Sequence, residues 1–106
     1  MNPFEIFIIY LSWVGGGKSR PALAYLIDGK SVSIYQITSQ YGKKSKKVKA
    51  KYYKINDWAK AGLDKQSYID IGTLIKLPLS VINGKPIIGK LSENDRQNLI
   101  DILEKQ

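Results

Sequence analysis

The chain has 106 residues, 43 % hydrophobic and 25 % charged, with 17 Lys and Arg against 9 Asp and Glu for a formal net charge of +8. That length fits one compact domain with a core, and the composition is that of a folding chain rather than a disordered one. The absence of Cys and His removes disulfides, thiolate nucleophiles, imidazole bases and the commonest zinc ligands, and suits a reducing cytoplasm, the expected location.

Phe4 to Trp13 reads as a buried first β-strand, bulky and β-branched and closed by glycines. As a targeting segment, Phe4 to Val14 carries Glu5 where a signal peptide has lysine or arginine, and it is too short to span a bilayer, so no membrane association is expected. Gly15-Gly16-Gly17 should break the strand into a flexible loop presenting Lys18, Ser19 and Arg20. Gly-Gly-Gly-Lys-Ser does not make a nucleotide-binding P-loop. That motif needs a glycine where Ser12 stands and a helix where Pro21-Ala22-Leu23 is strand-like.

Pro21 to Ile27 reads as a second strand, Asp28-Gly29 as a tight hairpin turn, and Ser31 to Thr38 as a third strand. Counting outward from that turn brings Arg20 and Thr38 to about the same level. Beyond Ser39-Gln40-Tyr41-Gly42, residues Lys47, Lys49, Lys51 and Tyr53 alternate with Val48, Ala50 and Tyr52, which predicts a strand with one cationic face. Asn56 or Asp57 caps a short helical turn, Asp57 to Ala61, ended by Gly62, and Ser67 to Leu77 is expected to be extended up to Pro78. Pro86 to Leu91 is a last short strand. Ser92 then caps a terminal helix, with Asp95 as a weak capping box and Leu99, Ile102 and Leu103 on the face that packs against the sheet. The sum is a single mainly β (α+β) domain over residues 1–106, a small SH3-like barrel with short helical segments and a C-terminal helix.

Charge is unevenly spread. No acidic residue lies between Asp28 and Asp57, and seven lysines fall between Lys43 and Lys54. A solvated face is the ordinary reading of such a run. Here Tyr41, Tyr52, Tyr53 and Trp58, with Trp13 upstream, interleave or flank it, the combination that holds single-stranded RNA by stacked bases and neutralised phosphates. Arg20, whose planar donors match two phosphate oxygens, and the Thr38 hydroxyl level with it add to a surface suited to a phosphate backbone.

In Ser19-Arg20-Pro21-Ala22-Leu23, Ile37-Thr38-Ser39-Gln40, Ala61-Gly62-Leu63-Asp64-Lys65-Gln66-Ser67-Tyr68-Ile69 and Ile88-Gly89-Lys90-Leu91-Ser92, in that order and spacing, the chain resembles the PemK/MazF family of toxin ribonucleases from bacterial toxin-antitoxin pairs. The resemblance covers nearly the whole length. It implies an SH3-like barrel, a homodimer, and cleavage of single-stranded RNA without metal or other cofactor, neutralised by a cognate antitoxin protein. Arg20 and Thr38 match the family's catalytic arginine and threonine, with Ser39 beside them. Ser19, Gln40, Lys65 and Ser67 in these segments and Lys18 just before the first of them, with Lys47, Lys49 and Lys51, are the candidate RNA contacts. The chain departs from the family in a shorter loop before Arg-Pro, without Gly-x-Glu-Gln, and in Ser67, where some members carry an acid. Two other readings share the barrel: a non-catalytic RNA-binding domain, and a CcdB-like toxin that binds DNA gyrase. The latter needs no Arg and Thr pair at this place.

Overall fold

A computed structural model describes residues 1–42 and 44–105; Lys43 and Gln106 lie outside the described residues, as do the side chains of Leu11 and Trp13. Strands β1 (Glu5–Trp13) and β2 (Gly16–Asp28) make a long antiparallel hairpin, in register from Ile6 opposite Leu23 to Trp13 opposite Gly16. The expected glycine loop is therefore a tight turn. Val14 and Gly15 alone form it, with Gly15 at φ +91°, and Gly16 and Gly17 belong to the ladder. A two-residue hairpin needs a left-handed residue at its turn, and Gly15 supplies it without steric penalty.

The next turn, Gly29-Lys30, leads into β3 (Ser31–Thr38), with Asp28 opposite Ser31. Gly29 has φ +53°. This turn lies one residue later than expected, and a bulge between Ala24 and Leu26 shifts the register back by one, so that Ala22 lies opposite Gln36. Two residues further along the same register, Arg20 is level with Thr38. Without the bulge it would be level with Ser39, on the other face.

Residues 47–53 do not form the expected cationic strand. Lys46–Lys49 is a single helical turn (α1), capped by the Ser45 hydroxyl accepting the Val48 N–H at 3.3 Å, and β4 is only Tyr52–Lys54. Seven alternating residues cannot by themselves separate strand from helix; the serine cap decides. The extended segment expected over 67–77 is also interrupted, into β5 (Tyr68–Asp70) and β6 (Ile75–Pro78). Asp70 Oδ1 takes the Gly72 N–H at 2.9 Å, an aspartate turn that redirects the chain. Residues 57–61 form the expected turn, with Ala61 N–H donating to the Asp57 carbonyl at 3.1 Å and Gly62 ending it at φ +88°. A short α2 (Leu79–Ile82), β7 (Ile87–Lys90) and the helix α3 (Glu93–Glu104) complete the chain.

The sheet order is β4-β5-β3-β2-β1-β7, with β6 pairing beside the first half of β3 and β5 beside its end. Successive residues of β1 to β3 alternate between two apolar clusters. One gathers Ile6, Leu23, Tyr35 and Ile37 with Ile55, Ile69 and Leu99 of α3; the other gathers Phe7, Ala22, Ala24, Val32 and Ile34 with Ile82 of α2. Ile102 and Leu103 pack on the first cluster as the helical stripe requires. The molecule is thus a small α+β structure, a curled antiparallel half-barrel carrying a C-terminal helix. Among the described residues no helix is long and apolar enough to cross a membrane.

Candidate functional site

The ends of β2 and β3 open onto a cavity of about 190 Å³. Its walls are Lys18 to Pro21 of β2, Ile37 to Gln40 at and after the end of β3, and Leu63, Asp64, Lys65 and Ser67 from the segment before β5. Eight residues singled out from the sequence meet here: Arg20, Thr38 and Ser39, with Lys18, Ser19, Gln40, Lys65 and Ser67. They come from three segments far apart in the chain. The bulged register of β2 against β3 brings the first two together, and pairing of Ile37 and Thr38 with Ile69 and Tyr68 brings in the third.

The three cations Lys18, Arg20 and Lys65 face a single carboxylate, Asp64, so the lining is electropositive and fits an anion. Thr38 Oγ1 accepts the Gln40 N–H at 3.0 Å, which fixes the hydroxyl and leaves its own proton as a donor. Ser67 is different. It is 5 % exposed and its hydroxyl donates to the Lys65 carbonyl at 3.0 Å, so it shapes the turn that carries Lys65. Gln66 braces the same turn, its Nε2 donating to the carbonyls of Ile55 at 2.8 Å and Ser67 at 3.1 Å.

Lys47, Lys49 and Lys51 stand apart from this cavity. Lys47 and Lys49 belong to α1 and Lys51 follows it. The Lys49 ammonium lies 5.1 Å from the Tyr41 ring centre, and the stem of Lys51 packs against Gly72. Of the aromatic candidates, Tyr53 is buried and Trp58 packs on the core, whereas Tyr41 and Tyr52 are half-buried. The sequence reading missed Asp64. It stands in the Ala61 to Ile69 segment, but nothing marks a lone aspartate there until that segment folds against β2 and β3. Among the described residues no cluster of three or more Asp, Glu, His or Cys forms.

No family model matches the chain, and no curated protein matches it. The functional reading stands on the residues of the cavity.

Proposed function

We propose that this chain is a metal-independent endoribonuclease that cleaves single-stranded RNA by attack of a 2′-hydroxyl on the adjacent phosphodiester, in the manner of the PemK/MazF toxins it resembles. The observation that carries this reading is the meeting of Arg20, Thr38 and Ser39 in one cationic cavity at the end of the bulged hairpin. The half-barrel with its C-terminal helix is compatible with the SH3-like barrel of that family. A homodimer, a cognate antitoxin with an acidic segment that covers the cationic surface, and cytoplasmic action belong to the same proposal.

In this mechanism the 2′-oxygen bonds to phosphorus and the bond to the 5′-oxygen breaks, giving a 2′,3′-cyclic phosphate and a free 5′-hydroxyl. Arg20 neutralises the charge that develops on the phosphorane oxygens, where a bidentate guanidinium acts best. Thr38 and Ser39 orient the phosphate by hydroxyl donation. Asp64 is the carboxylate at hand to take the 2′-hydroxyl proton, a task alcohols perform poorly. The ammonium groups of Lys18 and Lys65 are the donors at hand for the leaving 5′-oxygen.

The test is cleavage of single-stranded RNA in EDTA by the wild type, Arg20→Ala and Asp64→Asn. The wild type should cut, Arg20→Ala should lose about 10² to 10³ in rate, and Asp64→Asn should lose about 10² or more. RNA left intact by folded wild type overturns the ribonuclease reading; an active Asp64→Asn moves the base elsewhere.

A further inference from the structure

Next to the cavity lies an aromatic cluster that the cleavage chemistry does not use. Tyr41 and Tyr68 stack face to face, ring centres 4.0 Å apart and planes 9° from parallel, and Tyr52 meets Tyr41 edge-on at 6.1 Å. All three rings are half-buried. Two cations rest on them: the Lys44 ammonium is 5.2 Å from the Tyr52 ring centre and that of Lys49 is 5.1 Å from Tyr41. The cluster is continuous with the cavity on both strands. Tyr41 follows Gln40, Tyr68 follows Ser67, and Tyr68 is the cross-strand partner of Thr38, hence on its face of the sheet.

We propose that Tyr41, Tyr52 and Tyr68, with Lys44 and Lys49, form a nucleobase subsite for the nucleotide flanking the scissile phosphate. This rests on the ribonuclease reading for its choice of ligand. Core packing alone does not account for the arrangement, because the rings belong to neither apolar cluster and are roofed by ammonium groups instead of side chains of the core. An exposed ammonium on a ring is held weakly, about 2- to 5-fold, whereas a base stacked on such a ring gains about 5- to 150-fold. A base therefore displaces the ammonium from the ring. The freed lysine then reaches the phosphate of the same nucleotide, so that both groups gain by the exchange. Every base has a π-face, and stacking of this kind tolerates any of them. The subsite would set where the chain lies along the groove more than which sequence it carries.

The experiment compares two uncleavable probes on the full chain: a 2′-O-methyl oligoadenylate of about eight nucleotides and an abasic oligomer with the same number of phosphates. Wild type should bind the base-bearing probe about 5- to 150-fold more tightly than the abasic one. Tyr52→Leu and Tyr41→Leu should each shrink that preference while affinity for the abasic probe stays the same. Equal binding of the two probes by wild type overturns the subsite, and this comparison needs no variant to fold. A preference untouched by either substitution overturns it as well. RNA cleavage without base preference sinks the subsite alone, while a tyrosine-dependent preference without cleavage supports the subsite and sinks only the ribonuclease.

Discussion

The Tyr53 hydroxyl donates to the Asp95 carboxylate at 2.6 Å, joining β4 to the first turn of α3 across 42 residues of chain. Asp95 is fully buried and also takes the backbone N–H groups of Asn56 at 2.9 Å and Asp57 at 2.7 Å. The expected capping box is therefore only half made. Ser92 Oγ accepts the Asp95 N–H at 3.1 Å, but the carboxylate is spent on the turn that follows β4 instead of on the cap's own backbone. A buried carboxylate is tolerated where every lone pair has a donor, and here three donors converge on it.

Asp95→Ala should accordingly lower stability by about 2 to 3 kcal/mol, since it leaves the buried Tyr53 hydroxyl unpaired and takes the acceptor from the part-buried N–H groups of Asn56 and Asp57. Asp95→Asn, which keeps the shape and one acceptor oxygen, should lose less. Urea midpoints followed by circular dichroism measure both, and a change in Asp95→Ala below about 0.5 kcal/mol, ordinary for surface positions, would show that the network contributes little.

The same bond sets a response to alkali. Burial first, and then the hydrogen bond to Asp95, push the Tyr53 phenol well above its ordinary value, and burial pushes Tyr35 up as well. The fold thus binds the phenolic protons more tightly than the unfolded chain does. That contribution is complete below the ordinary tyrosine value of about 10 and is lost as pH rises from there toward the raised values. Lysines titrate in the same range, so the informative comparison is with Tyr53→Phe. Its urea midpoint should fall less steeply than that of wild type above about pH 10; parallel curves would remove Tyr53 from the account.

Gly62 is the position where backbone geometry most directly supports the cavity. It has φ +88°, a Cβ there would overlap the Ile88 carbonyl, and a Cβ on Gly89 would overlap the carbonyl of Ala61. The two glycines let the turn ahead of Leu63 and Asp64 lie flat against β7. Gly84 has nearly the same φ, +84°, but open space around it. Gly84→Ala should lose only the left-handed strain of about 1 to 2 kcal/mol, and Gly62→Ala clearly more, with weaker RNA cleavage because a wall of the cavity shifts. Equal melting temperatures for the two variants would contradict the close packing.

Strand positions β1 to β3 and the terminal helix were legible because each rests on local chemistry: a β-branched run, a Ser92 cap. The conjunction of Arg20 with Thr38 depends besides on the bulge between Ala24 and Leu26, which a count from the expected turn does not contain. What was not legible depended on competition between neighbours. Lys47, Lys49 and Lys51 alternate with Val48 and Ala50 as a strand would, and only the Ser45 cap makes Lys46–Lys49 helical. Gly15 to Gly17 read as a loop, because three glycines permit one; pairing with Ser12 and Trp13 extends two of them into β2. Asp64 gains its place in the cavity from the fold of the 57–67 segment, which no residue near it announces.

On the proposed reading, Lys46, Lys47 and Lys51 bear on RNA affinity through charge alone. Lys46 and Lys47 on α1 and Lys51 after it are exposed and outside the cavity, so they are placed to meet phosphates without touching a base. Each phosphate contact on single-stranded RNA contributes about 0.7 to the slope of log affinity against log salt. Replacing all three with glutamine should therefore flatten the slope by about 2, the sum of three such contacts, while Arg20-dependent cleavage of saturating RNA and the position of the cut stay as in wild type. The contrast with Lys18→Gln or Lys65→Gln is what gives the measurement its meaning. Those two lysines line the cavity, so their loss should lower the cleavage rate at saturation as well as the affinity. If the triple variant keeps the wild-type slope, the lysine run is a solvated face, and the cavity and its immediate neighbours are left as the proposed RNA contacts.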